Sequence, residues 1–371
     1  MNSNYEHILE PFTFKSGVEL KNRVMLAPMT NYASDDETGE VTEEELAYYS
    51  KRTGGVGAII TACAYVTRDG KGFKGEIGSH QDNLVPSLQK LANTIQHRGT
   101  KAILQIFHGG RMCPPELLED GIPISASAVA PEREGSVTPR EMTEADIERV
   151  IEGFKESAKR ALEAGFDGVE IHGANTYLLQ QFFSPHSNRR KDKWGGDVYN
   201  RMNFIKEVIK EVRSVVENRP FVIGYRFSPE EIESPGITME DTFKLIDFLK
   251  EQNLDYLHIS VQDFWGGSIR DKEDKASRVL LAKERIGDKV PLIGVGSLHT
   301  PADVAKALEE VPLVALGREL IMEPQWIQKV EKGEEQTIRT TLSKKSQKEL
   351  VIPDDLWNAI MNTPGWFPVE E

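Results

Sequence analysis

The sequence predicts one α/β domain built as an eight-stranded parallel barrel, the (β/α)8 TIM barrel. Eight short apolar runs rich in branched and aromatic residues recur along the chain, as expected of strands buried on both faces. Helical patterns separate most of these runs, and eight βα units within about 300 residues fit the size of this fold. A doubly wound sheet is the alternative, although such a sheet usually has fewer strands.

The elements follow in chain order. The predicted strands are 24–29, 56–62, 102–107, 165–171, 221–227, 254–260, 290–296 and 311–317. Thr143 and Asp146 predict a capping-box-like helix start, and Gly165 ends that helix. Thr300 is the predicted N-cap of a later helix, with Pro301 at its first position.

Two predicted connections are too long to be plain turns. Residues 109–142 follow strand three and residues 261–278 follow strand six, so both are expected to be functional lids at the barrel mouth. The polar segment 332–350 is predicted to be a mobile linker, and the apolar residues after it to dock. The prediction is a single domain over 1–371, with a core at about 8–330 and a C-terminal tail at 332–371, and long capping loops at the C-terminal mouth.

The composition excludes several classes of protein. The 371 residues carry 59 acidic and 45 basic side chains, a net charge of −14, which argues against nucleic-acid or anionic-membrane partners. Cys63 and Cys113 form no C-x-x-C pair, so no thiolate metal site is expected and reduced thiols in the cytoplasm are predicted. Neither a signal peptide nor a run of ~18 apolar residues is visible. We therefore expect a small-molecule substrate, and an assembly of identical chains is compatible with the sequence.

In this fold, active-site residues lie at the carboxyl ends of the strands. Polar or flexible residues occupy those positions here: Pro28-Met29-Thr30, Gln105, His108, His172, Arg226, Gly296-Ser297 and Gly317-Arg318. The glycines, hydroxyl and guanidinium after strands seven and eight predict a phosphate site. Alternatively, the glycines only make tight turns and Arg318 pairs with a surface acid.

His172, Asn175 and Tyr177 follow strand four. One helical turn would place His172 and Asn175 on the same side, where both could donate hydrogen bonds to one oxygen. Tyr177 could then act as a general acid. The alternative is a core histidine with a tyrosine that only packs.

Arg226 and Gln105 interrupt apolar strands. Arg226 needs an anionic or strongly polar partner, either in an internal ion pair or on an electron-rich ligand edge. Gln105 must be hydrogen-bonded to protein or to ligand. His108 is a weaker candidate, and the charged residues of "NRRKDKWGG" are expected to fix their loop.

The chain resembles the old yellow enzyme family of FMN-dependent NAD(P)H oxidoreductases, in particular its bacterial NADH-dependent members. The resemblance covers about residues 8–330. It rests on motifs in family order: "LKNRVMLAPMT", "GGVGAIITACAYVTRDG", "LQIFHGGR", "GVEIHGANTYLLQQFFSPHSNRRKDKWGGDVYNR", "VIGYRFSP", "IGVGS" and "VALGRELIMEP".

The resemblance implies FMN at the barrel mouth and assigns residues to it. The implied flavin contacts are Ala27, Pro28, Met29, Thr30, Ala62, Gln105 and Arg226. The implied phosphate contacts are Val295, Gly296, Ser297, Gly317 and Arg318. His172 and Asn175 would bind the substrate oxygen, Tyr177 would give the proton, and Tyr32 would line the substrate pocket.

The chain departs from some relatives. It lacks the cysteine-rich iron–sulfur segment and extra nucleotide-binding domain of larger ones. Thr30 stands where some have cysteine, Asn175 where some have histidine, and "TAC" (61–63) replaces the commoner Thr-Glu-Ala.

The predicted function is ping-pong hydride transfer from NADH or NADPH through FMN to an activated alkene. No G-x-G-x-x-G directly follows a predicted strand, as expected if the nicotinamide binds transiently without a Rossmann domain. One alternative is a flavin-free isomerase or lyase acting on a phosphorylated substrate, with His172 as the base. Another is a non-catalytic binding barrel.

Overall fold

The structure, a computed structural model, describes residues 3–217 and 219–370. Within this part, eight parallel strands pair in sequence order and close into a barrel, because the last strand pairs with the first. The barrel strands are β1 (Val24–Leu26), β2 (Ala58–Ile60), β3 (Lys101–Phe107), β4 (Gly168–Gly173), β5 (Val222–Phe227), β6 (Tyr256–Ile259), β7 (Leu292–Gly294) and β8 (Leu313–Leu316). The predicted TIM barrel and its eight strands are confirmed.

Helices surround the barrel. They are α1 (Glu43–Arg52), α2 (Val85–Gln96), α3 (Glu144–Glu163), α4 (Leu178–Phe183), α5 (Val198–Arg201), α6 (Asn203–Val216), α7 (Met239–Leu249), α8 (Arg278–Ile286), α9 (Pro301–Leu308), α10 (Arg318–Met322), α11 (Trp326–Lys332), α12 (Gln347–Leu350) and α13 (Asp354–Met361). Both predicted helix starts are confirmed as capping boxes, at Thr143 before α3 and at Thr300 before α9. Gly165 follows α3 with φ +86°, a conformation that favours glycine.

Further short strands pair with one another, and among them Ala64–Tyr65 also extends the barrel sheet beside β3. They are Phe12–Thr13 with Glu19–Leu20, Ala64–Tyr65 with Ile77–Gly78, Ile124–Ser125 with Arg140–Glu141, and Leu342–Ser343 with Val369–Glu370. The first pair is antiparallel, and its buried residues Phe14 and Leu20 pack with Tyr256 inside the barrel. Apolar side chains therefore fill the barrel interior, while a larger apolar layer joins the strands to the helices.

The predicted linker at 332–350 is wrong. This segment contains the strand Leu342–Ser343 and helix α12, and Leu342 and Leu350 are buried. The buried guanidinium of Arg52 also donates to the Leu350 carbonyl oxygen at 2.9 Å. A few apolar contacts and one buried arginine hold a segment whose polar composition had suggested a linker.

The long loops are tied to the barrel by charged side chains. In the loop after β6, Arg278 forms an ion pair with Glu230 at 3.0 Å, and both side chains are buried. Arg190 donates to the carbonyl oxygens of Ala126 and Met142 at 3.0 and 2.7 Å. The charged "NRRKDKWGG" segment therefore fixes its loop, as predicted.

Across the described ranges, no helix is both long and apolar enough to cross a bilayer. Both cysteines are free and buried.

Candidate active site

A cavity of about 670 Å³ lies at the carboxyl ends of the barrel strands. Its volume falls within the range of cofactor and ligand pockets. Predicted cofactor residues that line it are Ala27, Pro28, Met29, Arg226, Val295, Gly296, Ser297, Gly317 and Arg318. Thr30, Ala62 and Gln105 are not among its lining residues. The strand ends thus bring together in one space residues that are far apart in sequence.

One end of the cavity is built by the exits of β7 and β8. Arg318 donates from Nη2 to the Ser297 hydroxyl at 3.3 Å and from Nη1 to the Trp366 carbonyl oxygen at 2.8 Å. Within the described ranges Arg318 forms no ion pair, so the alternative of a surface acid partner does not apply. The charge of Arg318 is therefore available to an anionic ligand.

Gly296 allows the backbone to pack closely at this end of the cavity. Its φ is +115°, and a Cβ there would lie 2.8 Å from the backbone nitrogens of Asp263 and Phe264. Any side chain would therefore collide with the loop that follows β6. The glycine brings the backbone of β7 close to that loop and keeps this part of the wall free of side chains.

At another point of the wall, Arg226 of β5 is buried without a protein partner. Its Nε has no hydrogen bond within the part of the chain that the structure describes, and no acid there lies within ion-pair distance. Burial lowers the pKa of the guanidinium. A buried cation without a partner is costly, so the alternative of an internal ion pair is wrong and a ligand with an electron-rich edge fits.

A buried carboxylate lies near Arg226, and sequence reasoning missed it. Glu170 of β4 accepts hydrogen bonds from Gln105 at 2.7 Å, from the Tyr256 hydroxyl at 2.9 Å and from His258 Nδ1 at 2.8 Å. Burial alone would raise the pKa of Glu170, but His258, Arg226 and Gln105 together lower it. Glu170 is therefore an ionised group that holds three strands together beneath the site.

The signal for Glu170 was present in the sequence. An acidic residue in the middle of an apolar strand requires donors, by the same argument that singled out Arg226 and Gln105. Gly224 of β5 lets the donors reach it, because a Cβ there would lie 2.1 Å from the Tyr256 ring. The predicted hydrogen bond of Gln105 is thus made to protein.

His172 ends β4 as a neutral hydrogen-bond donor. Its Nδ1 accepts from the Ala174 backbone N–H at 3.2 Å, which leaves the ring proton on Nε2. Burial and the neighbouring Arg226 lower its pKa to about 3. Residues 172 and 226 are also direct partners in the β4–β5 pairing. The imidazole is therefore uncharged and able to donate from Nε2.

Asn175 lies in the loop after β4 with φ +55°. Its side-chain oxygen accepts from the Ser260 hydroxyl at 2.8 Å, and its backbone N–H donates to the Ser228 hydroxyl at 2.9 Å. These bonds orient the amide so that its NH2 group, which has no partner within the described ranges, can donate to a ligand. Strained backbone of this kind is typical of functional sites.

The geometric reason given for pairing His172 with Asn175 is wrong. His172 is the penultimate residue of a strand, Asn175 has left-handed backbone, and helix α4 begins only at Leu178. A strand end followed by a tight loop, and not a helical turn, places the two residues near each other.

Tyr177 packs among aromatic rings. Its ring centroid lies 4.5 Å from that of Phe107 and 5.0 Å from that of His172. Phe73 contacts Tyr177 and also Tyr32, at centroid distances of 6.2 and 6.1 Å. Burial, with smaller effects of Cys63 and Glu76, raises the pKa of Tyr177. The phenol therefore stays protonated and can donate, and Tyr32 belongs to the same aromatic cluster.

His108 has a structural position. It is fully buried, accepts from the Gly110 N–H at 3.0 Å and lies 3.5 Å from Asp69. Ala62 donates its backbone N–H to the Tyr49 hydroxyl at 2.7 Å. Neither residue lines the cavity, and His108 is held by its loop.

The cavity as a whole fits an elongated phosphorylated ligand with a flat, electron-rich ring. Among residues 3–217 and 219–370, Arg226 has no side-chain hydrogen bond in one part of the wall, and Arg318 has no ion-pair partner in another. Apolar side chains of Ala27, Pro28 and Met29 lie along the same space. Those residues match the needs of a phosphorylated flavin.

The comparisons with known proteins agree with this reading. Residues 7–337 match the NADH:flavin oxidoreductase / NADH oxidase family. The chain is 45% identical to a probable NADH-dependent flavin oxidoreductase, YqiG, of Bacillus subtilis (strain 168), and the match covers 100% of both chains.

Two longer relatives are named for their reactions. The chain is 45% identical to the NADH:acrylate oxidoreductase of Vibrio harveyi over 94% of its own length and 35% of that protein. It is 41% identical to the NADH:fumarate oxidoreductase of Klebsiella pneumoniae (strain 342), over 96% of its own length and 39% of that protein. The chain thus spans less than half of either relative.

Solved structures show the same fold. Morphinone reductase in complex with tetrahydroNAD aligns with a TM-score of 0.75 and 25% identity, over 88% of this chain and 91% of that one. The 2-naphthoyl-CoA reductase complex aligns with a TM-score of 0.81 and 25% identity, over 90% of this chain and 53% of that one.

Proposed function

Because the chain belongs to the NADH:flavin oxidoreductase / NADH oxidase family, and is thus an FMN-dependent NAD(P)H oxidoreductase, we propose that it reduces alkenes activated by a carbonyl or carboxyl group. Two relatives carry names that specify such acceptors, acrylate and fumarate. FMN, when bound, would supply the capacity for hydride transfer between the nicotinamide and the acceptor. The remaining chemistry belongs to side chains of this chain.

The cavity residues would hold the cofactor. Arg226 would lie against the electron-rich edge of the flavin ring, since no described residue forms a hydrogen bond or ion pair with this guanidinium. Gly296, Ser297, Gly317 and Arg318 would hold the phosphate through backbone N–H groups, a hydroxyl and a guanidinium. Ala27, Pro28 and Met29 would pack along the ring system, with Thr30, Ala62 and Gln105 beyond this lining.

One observation carries the substrate assignment: the end of β4 and the loop after it hold three uncharged donors. His172 Nε2–H and the Asn175 amide would donate to the carbonyl or carboxyl oxygen of the acceptor and so polarise its double bond. Tyr177, which burial keeps protonated, would give its proton to the α-carbon. Tyr32 would line the acceptor pocket.

The proposed order is ping-pong, in which NAD(P)H leaves before the acceptor enters the same space. The sequence supports this order because its one G-x-G-x-x-G, Gly70–Gly75, leads into the short strand Ile77–Gly78 and not into a helix, so it does not form a dinucleotide-binding strand–helix turn. Neither a flavin-free isomerase or lyase nor a non-catalytic barrel fits, because the chain belongs to a family of flavin oxidoreductases.

Steady-state kinetics under anaerobic conditions test the proposal. NADH or NADPH would be consumed with 2-cyclohexenone, acrylate or fumarate as acceptor, and the saturated analogues cyclohexanone, propionate and succinate would serve as matched controls. The proposal predicts turnover with at least one alkene and none with its saturated analogue. Equal, background rates with every alkene and every control would contradict it.

A further inference from the structure

The C-terminal tail contributes part of the cavity wall. Thr363, Pro364, Gly365 and Trp366 line the same space as Gly296, Ser297 and Arg318. The four tail residues lie beyond residue 337, where the match to the family ends. Their contribution is therefore a feature of this chain that the family assignment does not supply.

These four residues, here called the roof turn, form a tight and well-defined turn. The Trp366 N–H donates to the Thr363 carbonyl oxygen at 3.1 Å, Pro364 occupies the second position, and Gly365 has φ +83°. Proline second and a positive-φ glycine third are features of a type II turn. The turn therefore has a sequence-determined shape.

The roof turn is held in place on its C-terminal side. Phe367 is buried, and the next residues form the strand Val369–Glu370, which pairs with Leu342–Ser343. The Leu342 N–H also donates to the Pro368 carbonyl oxygen at 2.8 Å. Because the following residues are fixed, the roof turn has a defined position over the cavity.

Arg318 connects the roof turn to the strand exits. Its Nη1 donates to the Trp366 carbonyl oxygen at 2.8 Å and its Nη2 to the Ser297 hydroxyl at 3.3 Å. Ser297 in turn donates to the Gln262 carbonyl oxygen at 2.9 Å. Both partners of the guanidinium are neutral, so its full charge remains while its orientation is already fixed before a ligand binds.

We propose that the roof turn is part of the FMN phosphate site, where it orients Arg318 and covers the phosphate. This inference rests on the proposed function, because it takes the cavity as the FMN site. In this arrangement the C-terminal tail, as well as the barrel, determines the affinity for FMN and the selectivity for its phosphate.

Flavin binding to the apoprotein separates this role from a structural one. Riboflavin carries the same ring as FMN but no phosphate, so the ratio of the two dissociation constants reports on the phosphate site. Both constants would be measured by quenching of flavin fluorescence. The first variant is a chain that ends at Asn362, and the second is Gly365→Val in the full chain.

Gly365→Val disturbs the turn without filling the cavity, since a Cβ there has no atom within 4 Å but a valine resists the positive φ. Gly99→Val is the matched control: Gly99 has φ +78° and equally open surroundings, between α2 and β3. Both full-length variants carry the same kind of backbone strain, and only one of them carries it in the roof turn.

The chain that ends at Asn362 and the Gly365→Val chain should each bind FMN about tenfold more weakly than the unaltered full chain does. Their dissociation constants for riboflavin should stay within about twofold of the value for that chain. Gly99→Val should keep the original ratio. Equal weakening of both flavins, or no change in either, would overturn the role of the roof turn. If the truncated chain does not fold, Gly365→Val decides alone. If the unaltered chain binds neither flavin, the cofactor site itself is wrongly assigned.

Discussion

The donor roles proposed for His172, Asn175 and Tyr177 depend on their surroundings and not on their residue types alone. Burial and Arg226 keep His172 uncharged, with its pKa lowered to about 3, so the Nε2 donor persists throughout the physiological pH range. Ser260 fixes the Asn175 amide in the donating orientation. Three neutral donors polarise an acceptor oxygen without placing a permanent positive charge beside Arg226.

The Tyr177→Phe substitution tests the proton donor. Turnover with 2-cyclohexenone should fall by about 10²-fold, the usual contribution of a positioned general acid. Turnover with ferricyanide, which takes up electrons without protonation at carbon, should stay within about twofold, since the hydride step needs no phenol. Steady-state NADH oxidation under anaerobic conditions measures both rates.

Tyr48→Phe is the control, because the Tyr48 hydroxyl is buried without a partner and lies outside the cavity lining. This variant should keep both rates. If Tyr177→Phe slowed both acceptors equally, the phenol would have a packing role and not a catalytic one.

Arg226 and Arg52 are both buried, but among the described residues only Arg52 has hydrogen-bonded protein partners. Arg52 donates to the carbonyl oxygens of Tyr48 at 2.8 Å and Leu350 at 2.9 Å. Arg226→Met should weaken FMN binding by about 10- to 100-fold and should destabilise the apoprotein less than Arg52→Met, because it removes a buried cation without hydrogen-bonded protein partners in the described residues, although that charge also helps to keep Glu170 ionised. Arg52→Met should instead lower the free energy of unfolding by about 3 kcal/mol.

Urea denaturation of the apoprotein and a flavin titration measure the two quantities. If Arg226→Met lowered the free energy of unfolding as much as Arg52→Met does, the prediction would be contradicted. That result would mean that Arg226 has a structural partner in the protein. The sequence predicted that Arg226 needs a partner, but only the structure distinguishes an arginine left for a ligand from one bound by the protein.

At the scale of elements, Glu170 joins strands that are not neighbours in the chain. From β4 it binds Gln105 on β3 and both Tyr256 and His258 on β6. Such a centre sets the spacing of the barrel directly below the catalytic residues. Sequence patterns predicted each strand from local composition, but a contact between residues 170 and 258 depends on barrel closure and could not be inferred locally.

Glu170→Gln should lower the free energy of unfolding at neutral pH by about 3 kcal/mol, because a neutral amide accepts weaker hydrogen bonds and leaves a donor facing donors. The pKa of Glu170 is lowered in the folded state, so its contribution is present above the unfolded value of 4.5 and fades as the pH falls. Urea denaturation at pH 7 and at pH 4 measures both effects.

Glu240→Gln is the control, since Glu240 is 81% exposed and only pairs with Lys244 on the surface. It should cost less than about 0.5 kcal/mol. A Glu170→Gln protein no less stable than this control would show that the buried network is dispensable.

The helix starts and the tail illustrate what local sequence can predict. Thr143 and Thr300 cap their helices as their neighbours indicated, because capping depends on residues within one turn. The roof turn was not predicted, although Pro364-Gly365 is a turn signal, because its place over the cavity depends on the distant pairing of Leu342–Ser343 with Val369–Glu370.

At the scale of the whole molecule, buried carboxyl groups should set the pH dependence of stability. Burial raises the pKa of Glu76 to about 8, and of Glu45 and Glu319 to about 7, from an ordinary value of 4.5. The folded state therefore holds protons that the unfolded chain releases above 4.5. Stability is full below that value and is lost as the pH rises through 7 to 8.

The midpoint of thermal unfolding should accordingly fall by several degrees between pH 6 and pH 9, and Glu76→Gln should reduce that fall because an amide cannot ionise. Glu284→Gln, at an exposed position, is the matched control and should leave the slope unchanged. Identical slopes for all three proteins would show that Glu76 does not titrate in this range.

The barrel could be predicted from the sequence because eight buried strands and their helices repeat a local pattern. The rule that function lies at strand ends identified Arg226, Gly296 and Arg318 in the cavity wall, but not the roof turn. The local pattern did not predict two long-range contacts, that of Glu170 with His258 and that of Arg318 with Trp366. The predicted cytoplasmic location stays a prediction.

Absorption spectra of the FMN-loaded protein test the central claim most directly. Under anaerobic conditions, NADH is added first and an activated alkene, 2-cyclohexenone, second. The account predicts that NADH bleaches the flavin bands and that the alkene restores them, with cyclohexanone having no effect. Bands that bleach with NADH but return with none of cyclohexenone, acrylate or fumarate would contradict the role assigned to His172, Asn175 and Tyr177.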